Sequence, residues 1–501
     1  MDLLANLALG FGVAVTPINL LYAFIGVLVG TLIGVLPGIG PVATIAMLLP
    51  TTYALPPVTA LIMLAGIYYG ASYGGSTTAI LVNLPGEMSS VVTVLDGHQM
   101  ALQGRAGAAL CVAALGSLFA GCVSTFVIAA FAPPLAEMAL SFDAAEYFSL
   151  MVLGLVSAIA LAHGSVLKAV LMTMLGLLLG TVGTDINTSV ARFSFDVPEL
   201  LDGIGFVAMT MGLFAFAEIA VNLEKTEVHN LCASRIDGLW IKWAEFKQAF
   251  PAILRGTAIG SALGIIPGGG ATLAAFAAYT LEKRVAKDPS RFGKGAIEGV
   301  AGPESANNAG AQTSFIPMLT LGIPSNAVMA LMVGALIIHD IQPGPDVMKN
   351  NPEMFWGLVA SMWIGNLMLV VLNLPLVGIW VKLLRVPYRL LFPMILFCCA
   401  IGAYSTSNNI FDVWVAVVFG LLGYVFVKLG CEPAPLLLGY ILGPMMEENL
   451  RRALVLSRGD FSVFVTRPMS LTMLILAGAL LALVVAPSIR KKREVVFQDE
   501  G

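Results

Sequence analysis

The chain has 501 residues, 58% of them hydrophobic and only 11% charged, whereas soluble domains carry roughly one-quarter charged residues. This composition excludes an ordinary water-soluble protein. The formal net charge of −4 does not indicate orientation, since orientation in a membrane follows the local placement of Lys and Arg.

Long apolar runs predict membrane-spanning helices along the whole chain. The clearest are residues 107 to 133, 144 to 162, 203 to 222, 355 to 377 and 469 to 487. Each is about long enough, or nearly so, to cross a hydrocarbon core of roughly 30 Å as a helix, and we expect about eleven crossings in total. The runs are continuous, whereas strands of a membrane β-barrel alternate apolar and polar residues. The predicted fold class is an all-α polytopic membrane protein.

The chain begins Met1-Asp2-Leu3-Leu4, without the basic region of a cleavable signal peptide, and we expect this segment to be retained. The cysteines form no CxxC pair and lie mostly inside apolar runs, which indicates small core residues rather than metal ligands. They are Cys111, Cys122, Cys232, Cys398, Cys399 and Cys431. His163 interrupts an apolar stretch, and His98 and His339 lie in predicted loops. We interpret all three as ordinary interfacial histidines.

A glycine ladder that runs into a Pro-Gly break occurs near the N-terminus and again 230 residues later. The paired positions are Gly26, Gly30, Gly34, Pro37, Gly38 and Gly40 in the first half and Gly256, Gly260, Gly264, Pro267, Gly268 and Gly270 in the second. Small residues at every fourth position let helices pack closely, which alone would explain the ladder. The Pro-Gly-x-Gly sequence should also break the helix, because proline removes a backbone donor and glycine weakens helices. At membrane depth a break is tolerated only inside protein or beside a water-filled cavity.

A second polar segment follows in each half. Residues Tyr69 to Thr78 lead to Asn83-Leu-Pro-Gly86, and residues Glu304 to Ser314 lead to Gly322-Ile-Pro-Ser-Asn326. Broken helices near the midplane expose N–H groups that attract anions and carbonyl groups that suit Na⁺. Each Ser, Thr or Asn taken alone is better explained as a bridge between helices. Their clustering predicts a shared site for a carboxylate and a cation.

The predicted substrate-binding residues are Gly38, Gly40, Ser72, Gly75, Ser76, Thr77, Thr78, Asn83, Gly268, Gly270, Asn307, Asn308, Thr313 and Ser314. A Na⁺ site is predicted near Asn83, Asn308, Ser325 and Asn326. Gln312 adds a further neutral polar side chain. Glu87 and Glu304 are the nearest ionisable residues, and an acid within the membrane is a functional candidate.

The placement of charges indicates that the two halves have opposite orientations. The loop after the second Pro-Gly break carries Lys283, Arg284, Lys287, Arg291 and Lys294, which predicts a cytoplasmic location. The corresponding residues 51 to 57 carry no charge. Residues 98 to 105 carry one Arg and no acid, whereas residues 340 to 353 carry three acids and one Lys. The sequence therefore predicts inverted structural repeats with re-entrant hairpins and broken helices.

The parity of the crossings gives the predicted domain boundaries. Residues 1–222 form the first repeat, with a hairpin over 18–50 followed by five spans, and leave the N-terminus outside. Residues 223–249 are a cytoplasmic linker. Residues 250–446 form the inverted second repeat, with a hairpin over 250–280 followed by five spans. Residues 447–501 form a final transmembrane helix and a basic cytoplasmic tail.

Energy coupling follows by elimination. The chain has no GxxxxGK[ST] sequence, so we expect that it does not itself hydrolyse ATP. Importing a dianion or trianion against about 100 mV costs roughly 5 to 7 kcal/mol. Co-transported Na⁺ or H⁺ is the expected compensation, with no other cofactor. An intramembrane enzyme is disfavoured because no Asp-rich, HExxH or Ser/His pattern occurs, and a passive channel stays open as an alternative.

Several stretches match a known family. They are Gly34-Val-Leu-Pro-Gly-Ile-Gly-Pro41, Gly66-Ile-Tyr-Tyr-Gly-Ala-Ser-Tyr-Gly-Gly-Ser-Thr-Thr78, Asn83-Leu-Pro-Gly-Glu87, Asp96-Gly97, Gly104-Arg-Ala-Gly107 and Gly264-Ile-Ile-Pro-Gly-Gly-Gly270. With them, nearly the whole chain resembles the large membrane subunit of the tripartite tricarboxylate transporters, the TctA family.

The resemblance implies a subunit of a bacterial inner-membrane importer of organic anions, di- and tricarboxylates such as citrate. It implies two partners, a small four-helix TctB-like membrane subunit and a periplasmic TctC-like solute-binding protein. An elevator-type movement of one domain against a scaffold is implied as well. We expect neither enzymatic activity nor a nucleic-acid partner.

Overall fold

The computed structural model describes residues 3–36, 40–162, 165–185, 188–224, 238–266, 270–383 and 388–485. Within these ranges the chain is almost entirely helical. Two short strands, β1 (Gly183–Thr184) and β2 (Ala191–Arg192), pair antiparallel between two helices of the first half. The predicted all-α class is confirmed.

The helices of the first half are α1 (Leu3–Ala14), α2 (Pro17–Val35), α3 (Pro41–Leu48), α4 (Pro57–Val82), α5 (Val91–Thr93), α6 (Gln99–Leu102), α7 (Ala106–Ala139), α8 (Ala144–Leu161), α9 (Val166–Gly180), α10 (Phe206–Thr210) and α11 (Ala217–Glu224). Short 3-10 helices occur at Leu49–Ala54, Met88–Ser90 and Pro198–Leu200. Two π-helical segments, Val94–His98 and Met211–Phe216, join α5 to α6 and α10 to α11.

The helices of the second half are α12 (Trp243–Gly264), α13 (Gly270–Val285), α14 (Glu298–Thr313), α15 (Phe315–Leu321), α16 (Ala327–Ile338), α17 (Asp346–Asn350), α18 (Pro352–Asn373), α19 (Val377–Leu383), α20 (Tyr388–Ser407), α21 (Ile410–Lys428), α22 (Pro433–Leu456), α23 (Val463–Thr466) and α24 (Pro468–Val485). One 3-10 helix, Pro289–Arg291, precedes α14.

Five helical stretches of the described chain are long and apolar enough to cross a membrane: Pro17–Val35, Ala106–Ala139, Phe206–Glu224, Pro352–Asn373 and Ile410–Lys428. Several shorter apolar helices accompany them, and these include the predicted runs that begin at 144 and 469. The chain is a multi-pass membrane protein. The total of about eleven crossings stays a prediction.

A helix ends at each predicted Pro-Gly break. Helix α2 ends at Val35 and α3 begins at Pro41, while α12 ends at Gly264 and α13 begins at Gly270. The residues at the breaks themselves, Pro37, Gly38, Pro267 and Gly268, lie outside the described residues. The re-entrant course and the inverted relation of the halves stay predictions.

The glycine ladders bring two pairs of helices into backbone contact. A Cβ atom at any ladder glycine would lie only 2.2–2.4 Å from a carbonyl oxygen of the facing helix. In the first half α2 faces α4 through Gly26, Gly30 and Gly34, and in the second half α12 faces α14 through Gly256, Gly260 and Gly264. Close helix packing therefore explains the ladders.

In each half a second helix break follows the polar segment, and the two breaks have the same local structure. Asn83, directly after α4, has φ 62°, and Gly322, directly after α15, has φ 72°. Both residues have a left-handed backbone conformation. A proline follows two residues later in each case, and the next helix begins after Glu87 in one half and after Asn326 in the other. Asn and Gly are the residues that tolerate this helix end best.

A buried carboxylate connects the halves. Asp96, on the π-helical segment after α5, is fully buried. Its Oδ1 accepts hydrogen bonds from the backbone N–H groups of Gly293, Gly295 and Ala296 at 2.8–2.9 Å. Its Oδ2 accepts a hydrogen bond from the hydroxyl of Tyr279 on α13 at 3.0 Å. The loop that leads into α14 is therefore held by the first half.

An ion pair joins the two helices that flank the second Pro-Gly break. The guanidinium of Arg255 on α12 donates two hydrogen bonds, of 2.7 and 2.6 Å, to the carboxylate of Glu282 on α13. The Glu282 side chain is only 3% exposed. Such bidentate pairs fix relative orientation as well as distance.

Three parts of the sequence predictions lie wholly or partly outside the described residues. These are 225–237 of the predicted linker, with Cys232, then 486–501 of the predicted tail, and His163. The predicted final helix corresponds to α24.

Candidate functional site

Glu304 lies where the polar helices of the two halves meet. It is on α14, which packs against α4, α5, α7, α12 and α13, and it has no exposed surface. Ser76 Oγ on α4 lies 2.5 Å from Glu304 Oε2. The hydroxyl of Thr93 on α5 hydrogen-bonds to Glu304 Oε1. Both partners belong to the first half, so this carboxyl group bridges the two halves.

A second acid, Glu87, lies beside it at the break after α4. The Glu87 carboxylate accepts a hydrogen bond from Ser89 and another from Asn307 Nδ2 on α14 at 3.4 Å. Ser72 on α4 also hydrogen-bonds to it. A Cβ atom on Gly75 would lie 2.9 Å from Glu87 Cγ, so only glycine leaves room for this side chain.

The break of the second half contacts α4 through Tyr68. Asn326 Nδ2 donates to the Tyr68 hydroxyl at 3.3 Å, and Ser314 hydrogen-bonds to the same hydroxyl. Ser325 Oγ donates to the carbonyl of Ser314 at 3.3 Å. Gly270, the first residue of α13, lies beside Asn326, because a Cβ atom there would be 3.9 Å from Asn326 Nδ2.

These contacts define a polar centre, which we use as the name for Tyr68, Ser72, Ser76, Glu87, Thr93, Glu304, Asn307, Ser314 and Asn326. Of the residues predicted from sequence, it unites Ser72, Ser76, Asn307, Ser314 and Asn326, with Gly75 and Gly270 at its edge. It also contains both acids that the sequence singled out.

Several buried polar atoms around the polar centre have no hydrogen-bond partner among the described residues. They are the side-chain carbonyl oxygens of Asn307 and Asn308, the amide nitrogen of Gln312 and the hydroxyls of Tyr69 and Tyr73. Buried polar groups are almost always paired, so these atoms are available to bind a polar ligand. Tyr73, Ser76 and Thr77 also line a small cavity against α7 and Asn373. The donor and acceptor set fits a polar ligand with its own oxygens.

Other predicted site residues have structural partners. Thr78 Oγ1 donates to the carbonyl of Val35 at 2.8 Å, which satisfies the end of α2. Thr77 Oγ1 and Thr313 Oγ1 donate to carbonyls one turn earlier in their own helices. Asn308 Nδ2 donates to Ser117 Oγ on α7 at 2.7 Å.

Gly40 and Asn83 differ from expectation in their partners. The N–H of Gly40, at the start of α3, donates to Glu218 Oε1 on α11 at 3.2 Å. A carboxylate of the protein therefore stands where an anion was expected. Asn83 is exposed at the helix end described above. Gly38 and Gly268 lie outside the described residues.

The four residues of the predicted Na⁺ site have different surroundings. Asn83 is exposed, Asn308 faces α7, and Ser325 and Asn326 contact Ser314 and Tyr68. The Na⁺ site stays a prediction. Among the described residues, no group of three or more His, Cys, Asp or Glu side chains is placed to hold a metal ion.

One histidine expectation is wrong. His98 was predicted to lie in a loop at the interface, but it ends a π-helical segment and is 7% exposed. Its Nδ1 lies 3.1 Å from the carbonyl oxygen of Ile80 on α4. Helix α4 packs against the π-helical segment and buries the His98 ring. His339 follows the last residue of α16, as a loop residue would.

Sequence reasoning missed several residues that contact predicted ones, among them Tyr68, Thr93 and Glu218. A signal for Tyr68 exists, since Tyr68, Ser72 and Ser76 recur at four-residue intervals and so share one face of α4. Thr93 and Glu218 carry no comparable signal, because each is a single polar residue whose role depends on a distant segment.

Comparison with known proteins supports the family resemblance. A model of the tripartite tricarboxylate transporter TctA family matches residues 20–438. An Agrobacterium vitis protein called "Uncharacterized 52.8 kDa protein in TAR-I ttuC' 3'region" is 59% identical over 500 residues, which cover all of both chains. A second, from the TAR-II ttuC' 3'region of the same organism, is 61% identical over 241 residues, 48% of this chain and all of that one. No solved structure matches the chain significantly. The chain belongs to the tripartite tricarboxylate transporter TctA family.

Proposed function

We propose that this chain is the large transmembrane subunit of a secondary-active, cation-coupled importer of di- and tricarboxylates, such as citrate. We further propose that it works in a bacterial inner membrane with a TctB-like small subunit and a TctC-like periplasmic binding protein. Membership of a transporter family supports the general function. The residues of the polar centre support the substrate class and the coupling.

The observation that carries the proposal is the buried polar centre between the two halves. Glu304 belongs to the second half, and its side-chain contacts with Ser76 and Thr93 join it to the first. A polar ligand held here would touch both halves, so their relative movement would change its access. The amide nitrogen of Gln312, on the same helix as Glu304, has no partner among the described residues, and an amide N–H group is a suitable donor to a carboxylate. The side-chain oxygen of Asn307 is also without a partner there and can only accept a hydrogen bond.

The acids of the polar centre support cation coupling. An anionic substrate that binds near Glu87 and Glu304 would add negative charge to a buried site that already holds two carboxyl groups. Uncompensated charge of one sign is very costly inside a membrane protein. A cation, H⁺ or Na⁺, must therefore enter with the substrate. An elevator-type movement of one domain would carry both together.

Uptake by reconstituted protein tests this function. The chain is placed in liposomes with both partner subunits, and entry of radiolabelled citrate or succinate is measured with imposed H⁺ and Na⁺ gradients. We expect accumulation above the external concentration, driven by one of these gradients. Flow that stops at equal concentrations would instead indicate a passive channel, and no flow of either acid would contradict the proposed substrate class.

A matched pair of variants locates the site. Asn307→Leu removes an amide of the polar centre and should abolish uptake, whereas Asn409→Leu changes an amide before α21 and should leave uptake intact. Both proteins must elute as single species from a sizing column. Equal uptake by the two variants would remove the polar centre from the proposal.

A further inference from the structure

The hydroxyl of Ser76 has two neighbours that compete for its single proton. Its Oγ lies 2.9 Å from the carbonyl oxygen of Ser72 and 2.5 Å from Glu304 Oε2. A carbonyl oxygen can only accept a hydrogen bond, and a serine hydroxyl can donate only one. Both contacts are hydrogen bonds only when Glu304 carries a proton and donates it to Ser76.

The second carboxyl oxygen of Glu304, Oε1, has its own hydrogen-bond partner. Oε1 contacts the hydroxyl of Thr93, which has no second acceptor among the described contacts and so donates to it. The protonated acid therefore donates to Ser76 and accepts from Thr93. Each of the three hydroxyl hydrogens, on Glu304, Ser76 and Thr93, then has one acceptor. If Glu304 were ionised, Ser76 would donate its hydroxyl hydrogen to the carboxylate. The Ser72 carbonyl would then lose its hydrogen bond from that hydroxyl.

The charged groups around Glu304 leave it without a cationic partner among the described residues. The titratable side chains on the helices and segments packed against α14 are Tyr68, Tyr69, Tyr73, Glu87, Asp96, His98, Cys111, Cys122, Glu137, Glu245, Lys247, Arg255, Tyr279, Glu282, Lys283 and Arg284. Arg255 on α12 donates two hydrogen bonds to Glu282. Tyr279 donates to Asp96. Glu87 adds negative charge on the same side of α14.

We propose that Glu304 is a proton-binding site and that it carries the coupling proton of the importer. In the loaded state the acid proton is donated to Ser76, and Ser76 donates to Ser72. On release the proton leaves to water, and the Ser76 hydroxyl turns to donate to the carboxylate. One proton enters and one leaves in each cycle. The coupling half of this inference rests on the proposed function, whereas proton binding does not.

Infrared spectroscopy tests proton binding without transport. The C=O stretch of a protonated carboxylic acid is separate from amide and carboxylate bands. We expect such a band at neutral pH in the wild-type protein, with intensity lost in Glu304→Gln and kept in the exposed control Asp288→Asn. Glutamine keeps the shape and both hydrogen bonds of the protonated acid, so the variant should fold. An acid band of equal intensity in Glu304→Gln and wild type would overturn the inference.

Transport then tests the coupling. Liposomes that contain the chain, both partner subunits and a trapped pH-sensitive dye are given radiolabelled citrate or succinate. The wild type should acidify the lumen as the acid enters. Because one coupled proton at about 100 mV supports roughly 50-fold accumulation, Glu304→Gln should lose about that factor. Exchange of labelled for unlabelled acid should stay measurable, which shows that the variant is not merely unfolded.

The outcomes separate the two proposals. Wild-type uptake that follows a Na⁺ gradient without a change in lumenal pH, or full accumulation by Glu304→Gln, would overturn proton coupling at this residue. If the wild type takes up neither acid, the proposed function fails while the infrared result still decides whether Glu304 binds a proton.

Discussion

At the scale of single residues, the carboxyl groups of this protein differ by what surrounds them. Asp96 is buried and accepts hydrogen bonds from three backbone N–H groups and one hydroxyl. Glu304 is buried with two hydroxyl neighbours. The same type of group therefore serves as a fixed connection in one place and as an exchangeable site in another.

Asp96 predicts a stability effect. Replacement with alanine leaves four donors unpaired in a buried site, and each hydrogen bond to a charged group contributes roughly 1.5–3 kcal/mol. We expect Asp96→Ala to lower the unfolding temperature of the detergent-solubilised protein strongly, by an effect of at least about 3 kcal/mol. The measurement is the loss of the monodisperse elution peak after heating.

Asp288 is the matched control for this prediction. It is exposed, and the hydroxyl and backbone N–H of Ser290 hold the pKa of its carboxyl below the usual range. Its replacement with alanine should leave the unfolding temperature nearly unchanged, since exposed groups are compensated by water. Similar losses in both variants would contradict the role assigned to Asp96.

At the scale of elements, the glycine ladder explains how two helices approach so closely. Gly30→Ala places a methyl group 2.4 Å from the carbonyl oxygen of Ile67, a distance that forces α2 away from α4. Overpacking of this kind costs about 1–3 kcal/mol. Gly12→Ala in α1 is the control, because no atom lies within 4 Å of its added methyl group. We expect a lower unfolding temperature for the first variant alone, and equal values for both would show that the helices separate without cost.

The ion pair between α12 and α13 predicts a coupling between two substitutions. Arg255→Ala leaves a buried carboxylate without its partner and should destabilise the protein by about 2 kcal/mol. Adding Glu282→Gln removes that charge and should restore part of the loss. A double-mutant cycle on the unfolding temperature measures this coupling. Strictly additive effects would show that the pair does not hold the two helices together.

The sequence was enough to predict the elements but not most of their contacts. Continuous apolar runs predict helices because a helix satisfies its own backbone inside a membrane. The ends of α2 and α12 follow from proline and glycine for the same local reason. Contacts such as Thr93 with Glu304 join residues 211 positions apart. No spacing rule predicts them, because they depend on how α5 is placed against α14.

His98 shows why one local expectation was wrong. It was expected in a loop, yet α4 and the π-helical segment pack over the ring. Burial of this kind is a tertiary effect, and local composition does not report it.

At the scale of the whole molecule, the inverted orientation of the halves is directly testable. Tyr53 is 59% exposed in the predicted outer segment, and Lys287 is exposed in the predicted cytoplasmic loop. In a cysteine-free background, Tyr53→Cys should react with a membrane-impermeant maleimide on intact cells, whereas Lys287→Cys should react only after the cells are opened. Labelling of both residues from the same side would exclude inversion.

The two breaks described above differ in charge at one position, since Glu87 precedes the next helix in one half and Asn326 does so in the other. Two identical halves in inverted orientation would be related by a two-fold rotation. The inward-facing and outward-facing states would then have the same free energy. Because Glu87 in one half corresponds to Asn326 in the other, the two states differ in free energy. The charge at Glu87 then contributes to the resting population of the two states, and replacement of Glu87 by an amide should shift the balance between the inward-facing and outward-facing states.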